Sequence, residues 1–359
     1  MSIPPDHIAI WALTAAGAAL GRKIQAYFPG SRIFVGRRAA GAEDDVAQFE
    51  RLGDTLPQYF NRYRGHVFIM AAGIVVRSVA HLLRHKTEDP AIVVMDECGQ
   101  HAISLLSGHL GGANALARRI GDCIGARPVI TTATDLQDVP AIDLIAQERG
   151  LVIENPAAIR HVSMALLEGR SISLHDPRGS LAGALPDACL RSDASTLGPD
   201  EGEGCNSCGP GIWVDDIRVD LPAEILLLRP ASLFVGVGCN RNTPASEMRD
   251  LMSRVLDEHG LAVASVAGLA SIDLKADEEG LLELGKSLAR PLLFFSRDQL
   301  ATVLNVPSPS TMVEKHVGVK SVCEAAAILA SGNGQLIAPK QTTPNVTIAI
   351  ARKSFTSSA

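Results

Sequence analysis

The sequence predicts an α/β protein in three stretches. These are an N-terminal α/β domain with a largely parallel sheet over residues 1–137, a small loop-rich middle region over 138–230, and a C-terminal α/β domain over 231–359. Three observations carry the prediction. Through the first third, short apolar runs alternate with segments of helical periodicity, the pattern of a parallel sheet covered on both faces. From Asp138 the alternation loosens, and Gly, Pro, Asp and Ser dominate between Asp176 and Gly211. A second strand, glycine loop and helix then begin at Ser232.

In order, Ile8–Leu13 reads as a strand and Ala16–Phe28 as a helix. A strand at Ile33–Val35 and a short helix at Leu56–Tyr63 follow. The run H-V-F-I-M-A (His66–Ala71) is a buried-type strand that passes into Gly73 and a helix with apolar residues at helical spacing, I-V-V-R-S-V-A-H-L-L-R. Ala91–Met95 and Ile103–Leu106 are further strands, divided by D-E-C-G-Q. A helix from Ala113 to Ile124 and the run P-V-I-T-T-A-T-D complete the unit. In the middle region Ile142–Arg149 and Pro156–Leu167 read as helices, and S-I-S-L, I-W-V and E-I-L-L-L as short strands. The last unit opens with a strand at Leu233–Val237 and the loop G-C-N-R-N-T-P. Thr243 suits the N-cap and Pro244 the first position of a helix reaching His259. A strand at Val263–Val266, a helix at Lys275–Ala289, a strand at Leu292–Phe295, a helix at Val322–Ala330 and two final strands end the chain.

Composition narrows the function classes. Hydrophobic residues make up 47% and charged residues 20%, as in ordinary globular proteins. Only 4% are aromatic and the net charge is −6, which argues against a nucleic-acid partner. No uncharged stretch approaches the ~20 residues of a membrane helix, and the N-terminus M-S-I-P-P-D-H has no basic leader region, so a cytoplasmic location without membrane contact is expected. Seven cysteines in such a chain read as free thiols. Cys205 and Cys208 form a single C-x-x-C with no second pair, which reads as a solvent-exposed loop with incidental cysteines in preference to a metal or redox site.

The segment I-S-L-L-S-G-H-L-G-G-A-N (Ile103–Asn114) is the most informative. Strand, glycine loop and helix aim backbone N–H groups at an anion, and here Ser107, Gly108, His109, Gly111, Gly112 and Asn114 add a hydroxyl, an imidazole and an amide. His109 has no periodic apolar context, so a buried structural histidine is the weaker account of it. Ser107 lacks the G-x-S-x-G setting of a nucleophile. Asp96 and Glu97 end a strand, where α/β sheets place ligands. They read equally as a general base that activates water and as exposed acids of a plain hairpin turn. Gly73 and Arg77 read as an anion site or as a helix start with a solvated arginine. Thr131, Thr132, Thr134 and Asp135 read as a strand end with a cap, or as a polar wall facing Ser107 if the two strands are neighbours. Gly238, Cys239, Asn240 and Arg241 start like a dinucleotide fingerprint but place arginine where the third glycine belongs, which favours an anion loop. Glu247 faces that loop or water. Ser308 precedes a helix carrying Glu324 in its first turn, where an acid also suits the helix dipole.

Taken together, F-I-M-A-A-G-I-V-V-R, D-E-x-G-Q, S-L-L-S-G-H-L-G-G-A-N and V-I-T-T-A-T-D resemble the N-terminal and central parts of the CbiG family, the cobalt-precorrin-5A hydrolases of cobalamin biosynthesis. G-V-G-C-N-R-N-T and G-V-x-S-V-C-E-A-A-A resemble its C-terminal domain, which also occurs alone as CobE. The resemblance runs from Ile8 to Ile350 and is weakest between Asp138 and Leu228. It implies hydrolysis of a δ-lactone on a cobalt corrinoid with loss of acetaldehyde, in the anaerobic pathway. It also implies cobalt carried by the substrate with no separate cofactor or protein metal site. His109 with Asp96 or Glu97 would supply the base, and backbone N–H groups around Gly111–Ala113 the oxyanion donors. The two glycine loops, Arg77 and Arg241 would meet substrate carboxylates. A non-catalytic corrinoid carrier and a nucleotide- or SAM-dependent enzyme are the rival readings. Contact with other enzymes of the pathway and a homo-oligomer stay open.

Overall fold

In the computed structural model, residues 3–40, 46–85, 88–137, 139–191, 209–303, 306–308 and 321–354 are described. The chain forms two compact units, Met1–Glu148 and Arg149–Ala359. The pair Cys205 and Cys208 lies outside the described residues.

The first unit is a seven-stranded sheet in the order β3-β2-β1-β4-β5-β6-β7. Its strands are β1 (Ile8–Ala12), β2 (Arg32–Gly36), β3 (Ala47–Phe49), β4 (Gly65–Ile69), β5 (Ala91–Met95), β6 (His101–Leu106) and β7 (Arg127–Val129). Every residue of β1 is buried, because side chains alternate between two covered faces. On one face Ile8, Ile10 and Ala12 join the core under the helices α1 (Ala15–Tyr27) and α4 (Ala113–Ile124). On the other, Ala9 and Trp11 pack with Phe34, Phe60 and Phe68, and the Trp11 ring stacks on Phe34 at 4.1 Å. α2 (Leu52–Tyr59) supplies Leu56 to this second core, and α3 (Ala72–Val79) supplies Val75 and Val79.

β1 to β5 run parallel, but β6 is antiparallel to β5, and β7 follows β6 in parallel. The cause is the tight D-E-C-G-Q turn, too short for a helical crossover. The segment is therefore a hairpin turn. The reversal sends the chain after β6 to the opposite sheet edge from the one reached after β4 and β5. Two short helices follow, α5 (Ala133–Leu136) and α6 (Ile142–Glu148).

The second unit holds two sheets. One is four-stranded, β8-β11-β10-β9, from β8 (Leu151–Ile153), β9 (Ser173–His175), β10 (Gly211–Val214) and β11 (Ile225–Pro230), with α7 (Ile159–Leu167) packed against β11. The other is five-stranded, β14-β13-β12-β16-β15, from β12 (Leu233–Cys239), β13 (Val266–Ile272), β14 (Leu292–Phe295), β15 (Gln335–Thr342) and β16 (Val346–Arg352). Its helices are α8 (Ala245–Glu258), α9 (Glu279–Leu288), α10 (Arg297–Ala301) and α11 (Val322–Ala330).

Several local expectations change, among them α2, which spans Leu52–Tyr59, and α9, which begins only at Glu279. Val263–Ser265 is a 3-10 turn, and the strand begins at Val266. Thr243 does not cap α8, whose cap residue is Pro244; its hydroxyl donates to the Asn240 carbonyl at 2.9 Å.

Candidate active site

β6 and β7 are parallel neighbours, so the loop after Leu106 and the run after Val129 emerge side by side. The S-G-H-L-G-G turn closes tightly. Ser107 takes a left-handed conformation with φ 57°, its carbonyl accepts from Ala113 N at 3.0 Å, and the Gly108 carbonyl accepts from Asn114 N at 3.0 Å. A Cβ on Gly111 would lie 2.3 Å from the Ser107 Cβ, so only glycine permits this closure.

Asn114, 4% exposed in the first turn of α4, ties the elements together. Its Oδ1 accepts from the Ser104 hydroxyl at 2.6 Å, while its Nδ2 donates to Thr132 Oγ1 at 3.2 Å and Asp135 Oδ2 at 2.8 Å. Asp135 also receives Arg118 Nη2 at 2.5 Å and lies 3.0 Å from His109 Nε2, with Thr134 Oγ1 3.2 Å from the same nitrogen. Burial pushes the Asp135 carboxyl up, but Arg118 and His109 outweigh it and hold the group below the ordinary carboxylate range. An ionised Asp135 assigns the proton of neutral His109 to Nε2. Nδ1 then carries the lone pair, 3.8 Å from Asp143 Oδ1 at the start of α6. A histidine held in one tautomer by a carboxylate is the arrangement of a general base.

Thr131 is exposed beside this cluster. Two of the backbone oxyanion donors expected here are engaged, since Gly112 N donates to the His109 carbonyl at 2.8 Å and Ala113 N to Ser107, whereas Gly111 N makes no hydrogen bond among the described residues.

Asp96 and Glu97 do not join His109. Leu106 pairs with Ile92, so Asp96 lies four residues further along β5, about 13 Å toward the other sheet edge. Its oxygens accept from the backbone N–H groups of Cys98 at 2.9 Å, Gln100 at 3.2 Å and His101 at 2.7 Å. Although burial raises its pKa, these bonds prevail and keep it depressed, so Asp96 is an ionised carboxylate whose oxygens organise the hairpin. Glu97 accepts from the Thr14 hydroxyl at 2.8 Å, at the start of α1. Gly73 and Arg77 lie on this second edge as well, after β4, with the Arg77 guanidinium folded over Gly73.

In the second unit Arg241 is occupied by its own chain. Nη1 pairs with Asp277 at 2.6 Å and Nη2 donates to the Leu274 carbonyl at 3.0 Å, and the Asp277 partnership raises its pKa further. The substrate-anchoring role expected of it therefore has a competitor built into the fold. Gly238 accepts from the Thr347 hydroxyl at 3.3 Å, and burial pushes the Cys239 thiol up. Asn240 donates to Asn345 Oδ1 at 3.2 Å, and Glu247 accepts from Thr343 Oγ1 at 2.8 Å, so both fasten the β15–β16 turn. Glu324 is fully buried and accepts from Ser308 N at 3.2 Å and Lys340 N at 3.0 Å. These two predicted residues do meet, as an internal anchor for backbone.

Sequence reasoning missed Arg118, Asp143 and Ser104. Arg118 stands four residues after Asn114 on one helix face, a spacing that would have found it. Asp143 had no such signal. A cleft of about 420 Å³ beside the loop, lined by Arg64, Arg84 and Gly111 among others, was also missed. Among the described residues no three His, Cys, Asp or Glu side chains are grouped so as to hold a metal ion.

A glycine-loop His–Asp cluster on a seven-stranded sheet, followed by a second α/β unit, defines a multidomain α/β protein with a candidate catalytic histidine, and comparison with known proteins specifies its family. Residues 54–135 match the family model described as cobalamin synthesis G N-terminal, 140–230 the cobalamin biosynthesis central region, and 233–351 the cobalamin synthesis G C-terminus. The chain belongs to the cobalamin synthesis G (CbiG) family. It is 34% identical to the cobalt-precorrin-5A hydrolase of Salmonella typhimurium over 97% of this chain and 98% of that one. Identity to the protein of the same name from Priestia megaterium is 31%, covering 96% and 94% of the two chains. Protein CobE of Sinorhizobium is 33% identical over 34% of this chain and 80% of its own.

Proposed function

We propose that the chain opens the δ-lactone of cobalt-precorrin-5A and releases acetaldehyde, with His109 as the base. The hydrolase activity within cobalamin biosynthesis follows from the full-length relatives of that name. The observation that supports His109 is its 3.0 Å contact with Asp135, itself fixed by Arg118 and Asn114.

Water positioned at His109 Nδ1 gives up its proton as its oxygen attacks the lactone carbonyl. Asp135 steadies the imidazolium that forms. Collapse of the tetrahedral intermediate breaks the ring C–O bond and leaves a carboxylate and a secondary alcohol. Removal of the alcohol proton then lets the adjacent C–C bond break, so that acetaldehyde departs and the electron pair passes to the conjugated macrocycle. Cobalt enters as part of the substrate. With Gly112 and Ala113 N–H engaged, the Gly111 N–H is the expected backbone donor of the loop left for a developing oxyanion.

The test is acetaldehyde release from the lactone. His109→Ala, shown by circular dichroism to be folded, is expected to lose about 10²–10⁴-fold in kcat. A wild-type rate would remove His109 from the chemistry.

A further inference from the structure

We propose that the cleft between the glycine loop and Arg64 and Arg84 is a carboxylate subsite, which takes an acetate- or propionate-type side chain of the macrocycle; this rests on the reading of the His109 edge as the reacting edge. The cleft encloses about 420 Å³, within the range of about 300–1,000 Å³ usual for small-molecule sites. Leu110 and Gly111 form one wall, so it begins at the residue next to His109.

Two features select a carboxylate. Arg64 and Arg84 make no ion pair and no side-chain hydrogen bond among the described residues, whereas Arg118 and Arg241 are paired with acids of their own chain. A guanidinium fork matches a carboxylate in two parallel bonds. Each arginine is also fixed through its backbone. Arg64 N donates to the His7 carbonyl at 3.0 Å and its own carbonyl accepts from Ala91 N at 2.9 Å, while Arg84 N donates to Asp89 Oδ1 at 2.9 Å. That last bond engages the Asp89 carboxylate with the turn. Glu88, the other acid of the cleft, is exposed, where water and salt weaken its competition for the guanidinium groups. Asn61 and Tyr63 add neutral polar groups.

The full chain should be titrated with cobyrinic acid, a corrinoid with free acetate and propionate carboxylates, and with its heptamethyl ester, in which they are masked. Arg64→Gln and Arg84→Gln are each expected to weaken binding of the acid about tenfold and to leave the ester within about twofold. Lactone turnover in the same variants should show a raised KM and an unchanged kcat. Wild-type affinity for the acid in both variants, or equal losses for acid and ester, would overturn the subsite, as would an acid that does not bind the unaltered chain. Arginine-dependent binding without acetaldehyde release would leave the subsite standing and overturn the lactone-opening reading instead.

Discussion

At the scale of single residues, two histidines of the first unit have opposite fates. His66, fully buried in β4, accepts from Trp11 Nε1 at Nδ1 (3.0 Å) and faces the Phe60 carbonyl through Nε2 (3.0 Å). Burial lowers its pKa to about 4 against an ordinary 6.5, despite the opposing pull of the Phe60 carbonyl. The folded state therefore keeps it neutral, and its contribution is complete above pH 6.5 and lost as pH falls toward 4. That displacement corresponds to about 3 kcal/mol. Urea unfolding of wild type and His66→Gln across pH 7.5 to 4 should show a steeper decline for wild type; parallel curves would contradict it. His109 is partly exposed and poised between Asp135 and Asp143. Asp135→Asn should keep the hydrogen-bonded geometry but let the imidazole place its proton on Nδ1, costing about 10²–10⁴-fold in kcat with little change in KM. Unaltered kcat would show that Asp135 only braces the loop. His109 was legible in sequence because glycines left it no core to join, and Thr134 and Asp135 were legible as a polar run after a strand, whereas Asp143, which faces the other ring nitrogen from α6, was not.

At the scale of elements, the decisive event is the reversal after β5. Each strand was legible as an apolar run, but apolarity does not encode direction, and a parallel reading puts Asp96 beside His109. Asp96 itself drives the separation, because three backbone N–H groups of the turn converge on it. Close packing offers a second check. A Cβ on Gly236 of β12 would stand 1.8 Å from the Cys323 carbonyl of α11, a backbone contact that no rotamer relieves. Gly53 in α2 has nothing within 4 Å. Gly236→Ala should therefore destabilise by about 3 kcal/mol or more as α11 is forced off the sheet, and Gly53→Ala should stabilise by up to about 1 kcal/mol. Thermal unfolding distinguishes them, and a Gly236→Ala protein of wild-type Tm would refute the close approach.

At the scale of the whole chain, the sequence marks the loose stretch from Asp138 by its glycines, prolines and polar residues, but composition does not show what that stretch is fastened to. Within the second unit the fastening is Asp216. This fully buried carboxylate accepts from Arg178 at 2.9 and 3.2 Å, just after β9, and from Arg352 at 2.9 and 2.7 Å, at the end of β16. The Ser232 hydroxyl adds a bond of 2.6 Å. Burial pushes the carboxyl up, yet Ser232 and the two guanidinium groups hold it below its ordinary value, so its contribution is present above pH 3.8 and is lost only as pH falls through the depressed folded value. Asp216→Asn removes the charge that two guanidinium groups share, and breaking such a buried network costs about 3–5 kcal/mol. Because Arg178 belongs to the four-stranded sheet's region and Arg352 to the five-stranded sheet, that loss should fall on both sheets at once. Hydrogen exchange should show the amides of β9–β11 and of β12 and β16 losing protection together in the variant. If β9–β11 alone opened while β12 and β16 kept wild-type protection, Asp216 would be a local brace of the middle region and the two sheets would be energetically separate.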